Sequence, residues 1–414
     1  MEETNARSLT VVIPALNEEE AIGDTISRCL QARQQIREEA GLAEMEIIVV
    51  SDGSTDRTAE IAQGFSEVRT IVFEQNRGYG AAIKEGFRQG RGDLVGFLDA
   101  DGTCDPVYFK YMCKAALDQS ADVVLGSRMG PQSKMPHIRR LGNHLYALLL
   151  GVLCGRVVTD TASGMRVIRR RSLDELYPLP DGLHFTPAMS ARAILNNLRV
   201  IEIPMRYEER VGDSKLRPLR DGIRFLRVII EGVLCYRPER IFLMTFVLFS
   251  LLAALLAAYP VEFYAQNRRV EEWMIYRFIA CFLLGGASFV LLSAAAFTNR
   301  LVVLGPRRRE GESFWASLAS KLFEGLPLWT MTGGAVLTAA VLLAPAAVEY
   351  VTTGHVTTHW SRIMVGAFGL LLAFHAGVTA VMLRVIEIWK RQLDNATNAD
   401  ERLAWPTSEK VELK

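Results

Sequence analysis

Residues 94–101 read LVGFLDAD, a short apolar run ending in Asp99, Ala100 and Asp101. A run this short, closed by polar residues, suits a strand buried on both faces better than a helix. Two carboxylates one residue apart can converge on one cation where the chain curls out of such a strand. A hard divalent ion takes one or two carboxylates and completes its shell with water and phosphate oxygens. Taken alone, Asp-x-Asp serves a turn or a cap equally well, so its neighbours decide.

Outward from this stretch the chain alternates. Strand-like runs at residues 9–15, 45–51, 68–73, 94–98 and 123–125 are separated by helical patterns at 19–40, from 55, at about 81–89 and at 106–119. The alternation predicts a Rossmann-like α/β domain with a mostly parallel sheet. Ligands of such sheets bind beyond the carboxyl ends of the strands. Those positions hold Pro14-Ala15-Leu16-Asn17-Glu18, Ser51-Asp52-Gly53-Ser54-Thr55-Asp56, Asn76-Arg77-Gly78-Tyr79-Gly80 and Asp99-Ala100-Asp101. Four strand ends thus gather acidic and turn-forming residues on one rim, which suits a nucleoside diphosphate tethered through a metal. No GxxxxGK[ST], GxSxG or HExxH occurs, and Gly78-Tyr79-Gly80 lacks the third glycine of a dinucleotide fingerprint.

The 414 residues carry 47 Lys and Arg against 46 Asp and Glu, and half are hydrophobic. That composition excludes a disordered chain and offers no global charge for nucleic acid. Six cysteines, at 29, 104, 113, 154, 235 and 281, form no paired spacing, so neither a disulfide framework nor a structural zinc site is indicated. The polar opening MEETNARSLT lacks the features of a secretory signal and is expected to stay cytosolic.

Past residue 240 the solvent changes. Apolar stretches at about 241–260, 277–298, 328–348 and 363–385 are each long enough to span a bilayer. His375, inside the last, is expected to be satisfied within the helix bundle rather than to ligate. Arginines and lysines cluster before the first stretch, after the second (Arg300, Arg307, Arg308, Arg309, Lys321) and after the fourth (Lys390, Arg391). The positive-inside rule then places both termini and the N-terminal domain in the cytoplasm. Residues 218–236 and 313–326 read as amphipathic helices at the headgroups. The expected organisation is a catalytic domain at 1–216, a juxtamembrane helix at 217–239, a four-helix transmembrane domain at 240–391 and a cytoplasmic tail at 392–414.

Seven stretches in order, VVIPALNE (11–18), VVSDGSTD (49–56), NRGYGAAIKEGF (76–87), FLDADGT (97–103), DVVLGSR (122–128), DTASGMRV (160–167) and RVGDSKL (210–216), resemble glycosyltransferase family 2. The resemblance is to its GT-A fold and to the polyprenyl-phosphate sugar synthases, which include the dolichol-phosphate mannose synthases. It implies that Pro14, Leu16, Glu18, Asp52 and Ala100 line a nucleotide-sugar pocket and that Asp99 and Asp101 hold Mg²⁺ or Mn²⁺ and the diphosphate. It implies further that Arg210 and Lys215 clamp the donor, that Ser127, Arg128 and Arg139 receive the lipid phosphate, and that Asp160 orients acceptor or sugar. Asp160, Arg128 and Lys215 are the catalytic set so implied. Asp160 as a structural cap, and Arg210 and Lys215 as a basic patch for anionic lipid, remain the alternative readings.

Three departures stand out. Leu16 takes the place of an aromatic, Thr103 the place of a glutamine, and residues 182–189 (GLHFTPAM) lack the acid that mannose synthases carry there. The Gln-x-x-Arg-Trp of processive synthases is also absent.

The expected activity is inverting, metal-dependent transfer of a hexose to a polyprenyl (dolichyl or undecaprenyl) phosphate at the cytoplasmic membrane face. GDP-mannose is the leading donor and UDP-glucose its rival. Two further readings stay open: a sugar-lipid flippase whose soluble domain only binds nucleotide sugar, and a transferase using another glycan acceptor. Prenyl length and homo-oligomerisation are not determined.

Overall fold

The computed structural model describes residues 7–131, 133–156, 158–211, 218–304 and 314–403. The chain divides into two compact units, Met1–Val233 and Leu234–Lys414.

In the first unit β1 (Ser8–Ala15), α1 (Ile22–Ala40), β2 (Glu44–Asp52), α2 (Thr58–Gln63), β3 (Arg69–Phe73), α3 (Tyr79–Gln89), β4 (Leu94–Leu98), α4 (Phe109–Asp118) and β5 (Val123–Ser127) realise the expected alternation. After them come α5 (His137–Cys154), β6 (Met165–Arg169), α6 (Leu173–Leu176), α7 (Phe185–Leu195), β7 (Val200–Pro204) and α8 (Pro218–Tyr236). The sheet order is β3-β2-β1-β4-β6-β5-β7. All pairs are parallel except those of β6, which runs antiparallel to both β4 and β5.

Two helix starts shift from the sequence expectation for local reasons. The Thr55 amide is taken by Asn17 Oδ1 at 2.8 Å and Asp56 Oδ1 accepts from the Thr58 amide at 3.0 Å, so α2 begins at Thr58 behind an aspartate cap. Asn17, with φ of 48°, turns the chain out of β1, and α1 follows at Ile22 instead of residue 19.

The reversed β6 matters for the site. Gly164 O accepts from the Asp99 amide at 3.1 Å, so β6 starts where β4 ends and carries residues 160–164 to the same carboxyl rim. Leu9, Val11, Ile13, Ile47, Val49, Leu98 and Val167 fill the core beneath. Arg166, next to Val167 in β6, is also fully buried; its Nη2 reaches Thr161 O at 2.8 Å, while Nη1 has no partner among the described residues. Burial holds its guanidinium down at about 10.

The second unit holds α9 (Pro238–Asn267), α10 (Ile275–Val303), α11 (Phe314–Lys321), α12 (Gly325–Thr353) and α13 (Trp360–Leu403). Four of these helices, all but α11, are long and apolar enough to cross a membrane. Aromatic rings join α10 to α13: Phe278 against Trp360 at 5.2 Å and Phe282 against Phe368 at 5.1 Å. His375 packs edge-on against Phe289, but its Nε2 has no hydrogen-bond partner, so the expected satisfaction of that ring is only partial among the described residues. The expected interfacial stretch at 313–326 is helical over Phe314–Lys321, and the expected tail begins as a continuation of α13.

Gly86 marks the closest approach of α3 to the sheet, where a Cβ would run into the Val12 side chain. Replacing it with valine should overpack this contact by about 1–3 kcal/mol. A thermal melt of the detergent-solubilised protein should then fall by about 2–12 °C, at roughly 2–4 °C per kcal/mol for a unit of this size.

Candidate active site

A cavity of about 490 Å³ opens at the carboxyl rim of the sheet. Pro14, Ala15, Leu16 and Glu18 enter it from the end of β1, Asp52 from β2, Asn76, Gly78 and Tyr79 from the β3–α3 turn, and Asp99, Ala100 and Asp101 from β4. Its other wall carries Arg128, Arg139, Asn143, Tyr146, Thr186, Tyr207 and Arg210.

The two aspartates are held differently. Asp101 Oδ1 accepts from the Thr103 hydroxyl at 2.6 Å and the Thr103 amide at 3.2 Å, and Oδ2 lies 3.2 Å from Arg210 Nη1. Thr103 therefore orients Asp101. Asp99 Oδ1 accepts from the Tyr79 phenol at 2.7 Å. Burial and the neighbouring Asp101 charge push the Asp99 carboxyl up to about 7, against the opposing effects of the Tyr79 hydrogen bond, Arg128 and Arg210. Arg210 also grips Glu18 at 2.5 Å, which makes it a bridge across the mouth of the rim.

Among the described residues no three His, Cys, Asp or Glu side chains gather to hold a metal by protein ligands alone. The donor set nonetheless fits a hard cation that keeps most of its shell for water and diphosphate. An arginine drawn onto Glu18 and Asp101, and a carboxyl at Asp99 raised by burial and by the Asp101 charge beside it, are what a cation at this rim would relieve.

Asp52 faces the cavity, yet both its oxygens are used within the protein. Oδ1 accepts from the Arg77 amide at 2.7 Å and Oδ2 from the Gly78 amide at 2.9 Å. Burial raises this carboxyl despite those bonds. It pins the β3–α3 turn at the edge of the cavity.

On the opposite wall Arg128 is clamped by Asp160. Asp160 Oδ2 takes the Arg128 amide at 2.9 Å and Nε at 2.7 Å, and Oδ1 takes Nη2 at 2.8 Å. Burial alone would raise the Asp160 carboxyl, but Arg128 more than offsets this and holds it below its ordinary value. Asp160 is fully buried and does not line the cavity, so it orients Arg128 instead of touching a ligand. The pair leaves Arg128 Nη1 without a hydrogen bond among the described residues. Ser127 also lies behind the wall, with its hydroxyl 3.1 Å from that of Thr159. Lys215 falls outside the described residues.

Arg139 projects from α5, a helix with two faces. Asn143, Ala147, Leu150, Leu153 and Cys154 are buried, while Ile138, Leu141, Leu145, Leu148 and Val152 are each more than half exposed. That spacing runs one apolar row along the outer face. Beside it, α8 packs through Tyr146, whose hydroxyl donates to Gly222 O at 2.6 Å and whose ring meets Phe225 at 5.9 Å. Alternation and motif reading missed α5 as a helix; its sequence signal was the 3–4 spacing of large aliphatic residues after His137. Tyr79 lies in the rim stretch read after β3 but had no role assigned to it, whereas Asn143 and Tyr146 were missed because they reach the cavity from α5 through long-range packing.

The family model described as Glycosyl transferase family 2 matches residues 10–177. Among curated proteins, a dolichyl-phosphate hexose transferase of Haloferax volcanii is 30% identical over 235 residues, covering 56% of this chain and 96% of that protein. The low-salt glycan biosynthesis hexosyltransferase Agl6 of the same organism is 34% identical over 244 residues; the alignment spans 56% of either chain. A dolichyl-phosphate beta-glucosyltransferase of Drosophila melanogaster is 29% identical over 237 residues, 53% of this chain and 72% of that one.

Two outcomes follow from the electrostatics. A cation bound at Asp99 would have to displace the proton that this carboxyl, raised to about 7, holds at lower pH. Mn²⁺ affinity, followed by electron paramagnetic resonance, should fall about tenfold per pH unit below that value and level off above it. Arg128→Ala strands a buried carboxylate and should cost about 3–5 kcal/mol in denaturant unfolding. Arg128→Ala combined with Asp160→Leu should lose clearly less; equal losses would mean the ion pair does not organise this wall.

Proposed function

The chain belongs to glycosyl transferase family 2, and on that footing we propose that it transfers one hexose from a nucleoside diphosphate sugar to a polyprenyl phosphate. The observation that carries this reading is the pairing of two rims in one cavity. Glu18, Asp99 and Asp101 occupy one side, with Arg210 on two of them, Arg128 and Arg139 occupy the other, and the helix that supplies Arg139 turns its apolar row outward. An acidic rim suits a metal-bound diphosphate, a cationic rim suits a phosphate monoester, and an apolar row suits that monoester's hydrocarbon tail.

A polyprenyl phosphate is already an oxyanion at neutral pH, so attack on the anomeric carbon needs no strong general base. Arg128, pre-set by Asp160, and Arg139 orient the attacking phosphate oxygen. The C1–O bond to the diphosphate breaks as the new C1–O bond forms on the opposite face, which inverts the anomeric centre. Asp99 and Asp101 are the residues that would hold Mg²⁺ or Mn²⁺, and such a cation would stabilise the charge on the departing nucleoside diphosphate. Arg210, now on Glu18 and Asp101, is placed to add cationic charge at the same end.

For the donor we favour UDP-glucose over GDP-mannose. Thr186, a hydroxyl residue, lines the cavity in the stretch where mannose synthases carry an acid, and one relative is named as a glucosyltransferase. Four apolar helices make this a membrane protein, and the arginine distribution supports a catalytic unit and termini on the cytoplasmic side.

Mass spectrometry of lipids made from mixed UDP-glucose and GDP-mannose, with dolichyl or undecaprenyl phosphate, tests the whole reading. Hexosyl polyprenyl phosphate should form from UDP-glucose, and Asp101→Ala should lower its yield by roughly two orders of magnitude without altering the melt. Mannosyl lipid alone would reverse the donor assignment. Donor turnover without any lipid phosphate would remove the acceptor assignment, and lipid translocation without synthesis would remove the enzyme.

A further inference from the structure

We propose that Tyr79 is a positioning residue whose phenol orients Asp99 toward the cation and diphosphate, and that its turn links the nucleotide end of the cavity to the cation end. This rests on the reading of Asp99 as a cation ligand.

Tyr79 opens α3 and has little freedom. Its ring stands edge-on to Phe97 at 6.4 Å and to Phe185 at 6.5 Å, and those two rings meet each other at 6.0 Å. The main chain on both sides is tied down as well. The Arg77 and Gly78 amides donate to Asp52 at 2.7 and 2.9 Å, and the Gly80 and Ala81 amides donate to Asp181 O at 2.6 and 3.1 Å. A ring held this way can aim its hydroxyl in one direction, and that direction is Asp99 Oδ1, 2.7 Å away.

Asp99 is confined from the other side too. Its amide donates to Gly164 O at 3.1 Å, and its carboxylate occupies the space that a Cβ on Gly164 would need. One oxygen is committed to Tyr79, and Oδ2, which takes no hydrogen bond among the described residues, sits where a Cβ at position 164 would stand, so the glycine there is what keeps Oδ2 available to a ligand. Mg²⁺ and Mn²⁺ demand near-ideal octahedral geometry, so the angle at which a single carboxylate oxygen is offered controls affinity. Groups that orient a metal-binding carboxylate through such a hydrogen bond typically change metal affinity 10- to 100-fold when removed.

Because Asp52 fixes the residues just before Tyr79, the same turn joins the carboxylate that borders the nucleotide to the one that meets the diphosphate. The two duties fall on three consecutive residues, 77–79.

Tyr79→Phe removes the hydroxyl and keeps the ring, so it separates orientation from packing. In the full-length protein in detergent, Mn²⁺ binding in the presence of UDP or GDP is read by electron paramagnetic resonance. The Phe variant should bind Mn²⁺ at least tenfold more weakly, with an unchanged melt and unchanged nucleotide affinity in the absence of metal. The apparent KM for Mn²⁺ in hexosyl transfer should rise in parallel. Tyr79→Leu, which loses the ring, should lower the melt in addition. Mn²⁺ affinity within twofold of wild type in Tyr79→Phe overturns the proposal while leaving the cation site standing. A wild-type protein that binds no Mn²⁺ with either nucleotide overturns both.

Discussion

Negative charge crowded at the end of a buried strand is the constraint around which this molecule is arranged. Asp99 and Asp101 emerge from β4 one residue apart, at a rim walled by apolar strands, and the carboxyl of Asp99 rises to about 7 as a consequence. A displacement of that size corresponds to about 4 kcal/mol of unfavourable charging. Several elements carry that load. Thr103 and Arg210 stabilise Asp101, Tyr79 donates to Asp99, and β6 is reversed so that Gly164 leaves room beside it. A rim that meets its crowded carboxylates with one arginine, two hydroxyls and a raised carboxyl is consistent with the cation proposed for it.

The facing wall solves the opposite problem. Arg128 is nearly buried, and an isolated guanidinium there would be costly. Asp160 removes that cost with three hydrogen bonds, Asn143 adds a fourth to the same carboxylate at 3.0 Å, and Glu202 receives the Thr159 and Asp160 amides. A buried ion pair of this kind adds little net stability but fixes geometry well. Orientation is what the role proposed for Arg128 toward a phosphate requires. Asp52 behaves similarly at the β2 end of the cavity, where its oxygens hold a turn instead of pointing freely into it.

Much of the site was legible because rim residues follow their strands immediately. Pro14, Leu16, Glu18, Asp52, Asp99, Ala100, Asp101, Arg128, Arg139 and Arg210 all reach one cavity. Strand ends of a parallel sheet lie side by side whatever the loops do, so short motifs after apolar runs transfer directly into space. Asp160 and Ser127 were harder: both adjoin the right motifs but point behind the wall. A residue's place on the chain says which rim it belongs to, whereas its rotamer depends on neighbours such as Asn143 and Thr159 that are distant in sequence.

The amino-acid order alone determined the alternating α/β unit, its mostly parallel sheet, the four long apolar helices and the acidic rim. Each depends on local periodicity, or on residues within a few positions of a strand end. Only the tertiary structure decided that β6 runs backwards between β4 and β5, that α5 turns an apolar row outward beside Arg139, and that Tyr79 aims at Asp99. Those outcomes depend on which surfaces meet, and a burial pattern or a hydrogen bond between residues 20 or more positions apart has no signature in the spacing of either partner.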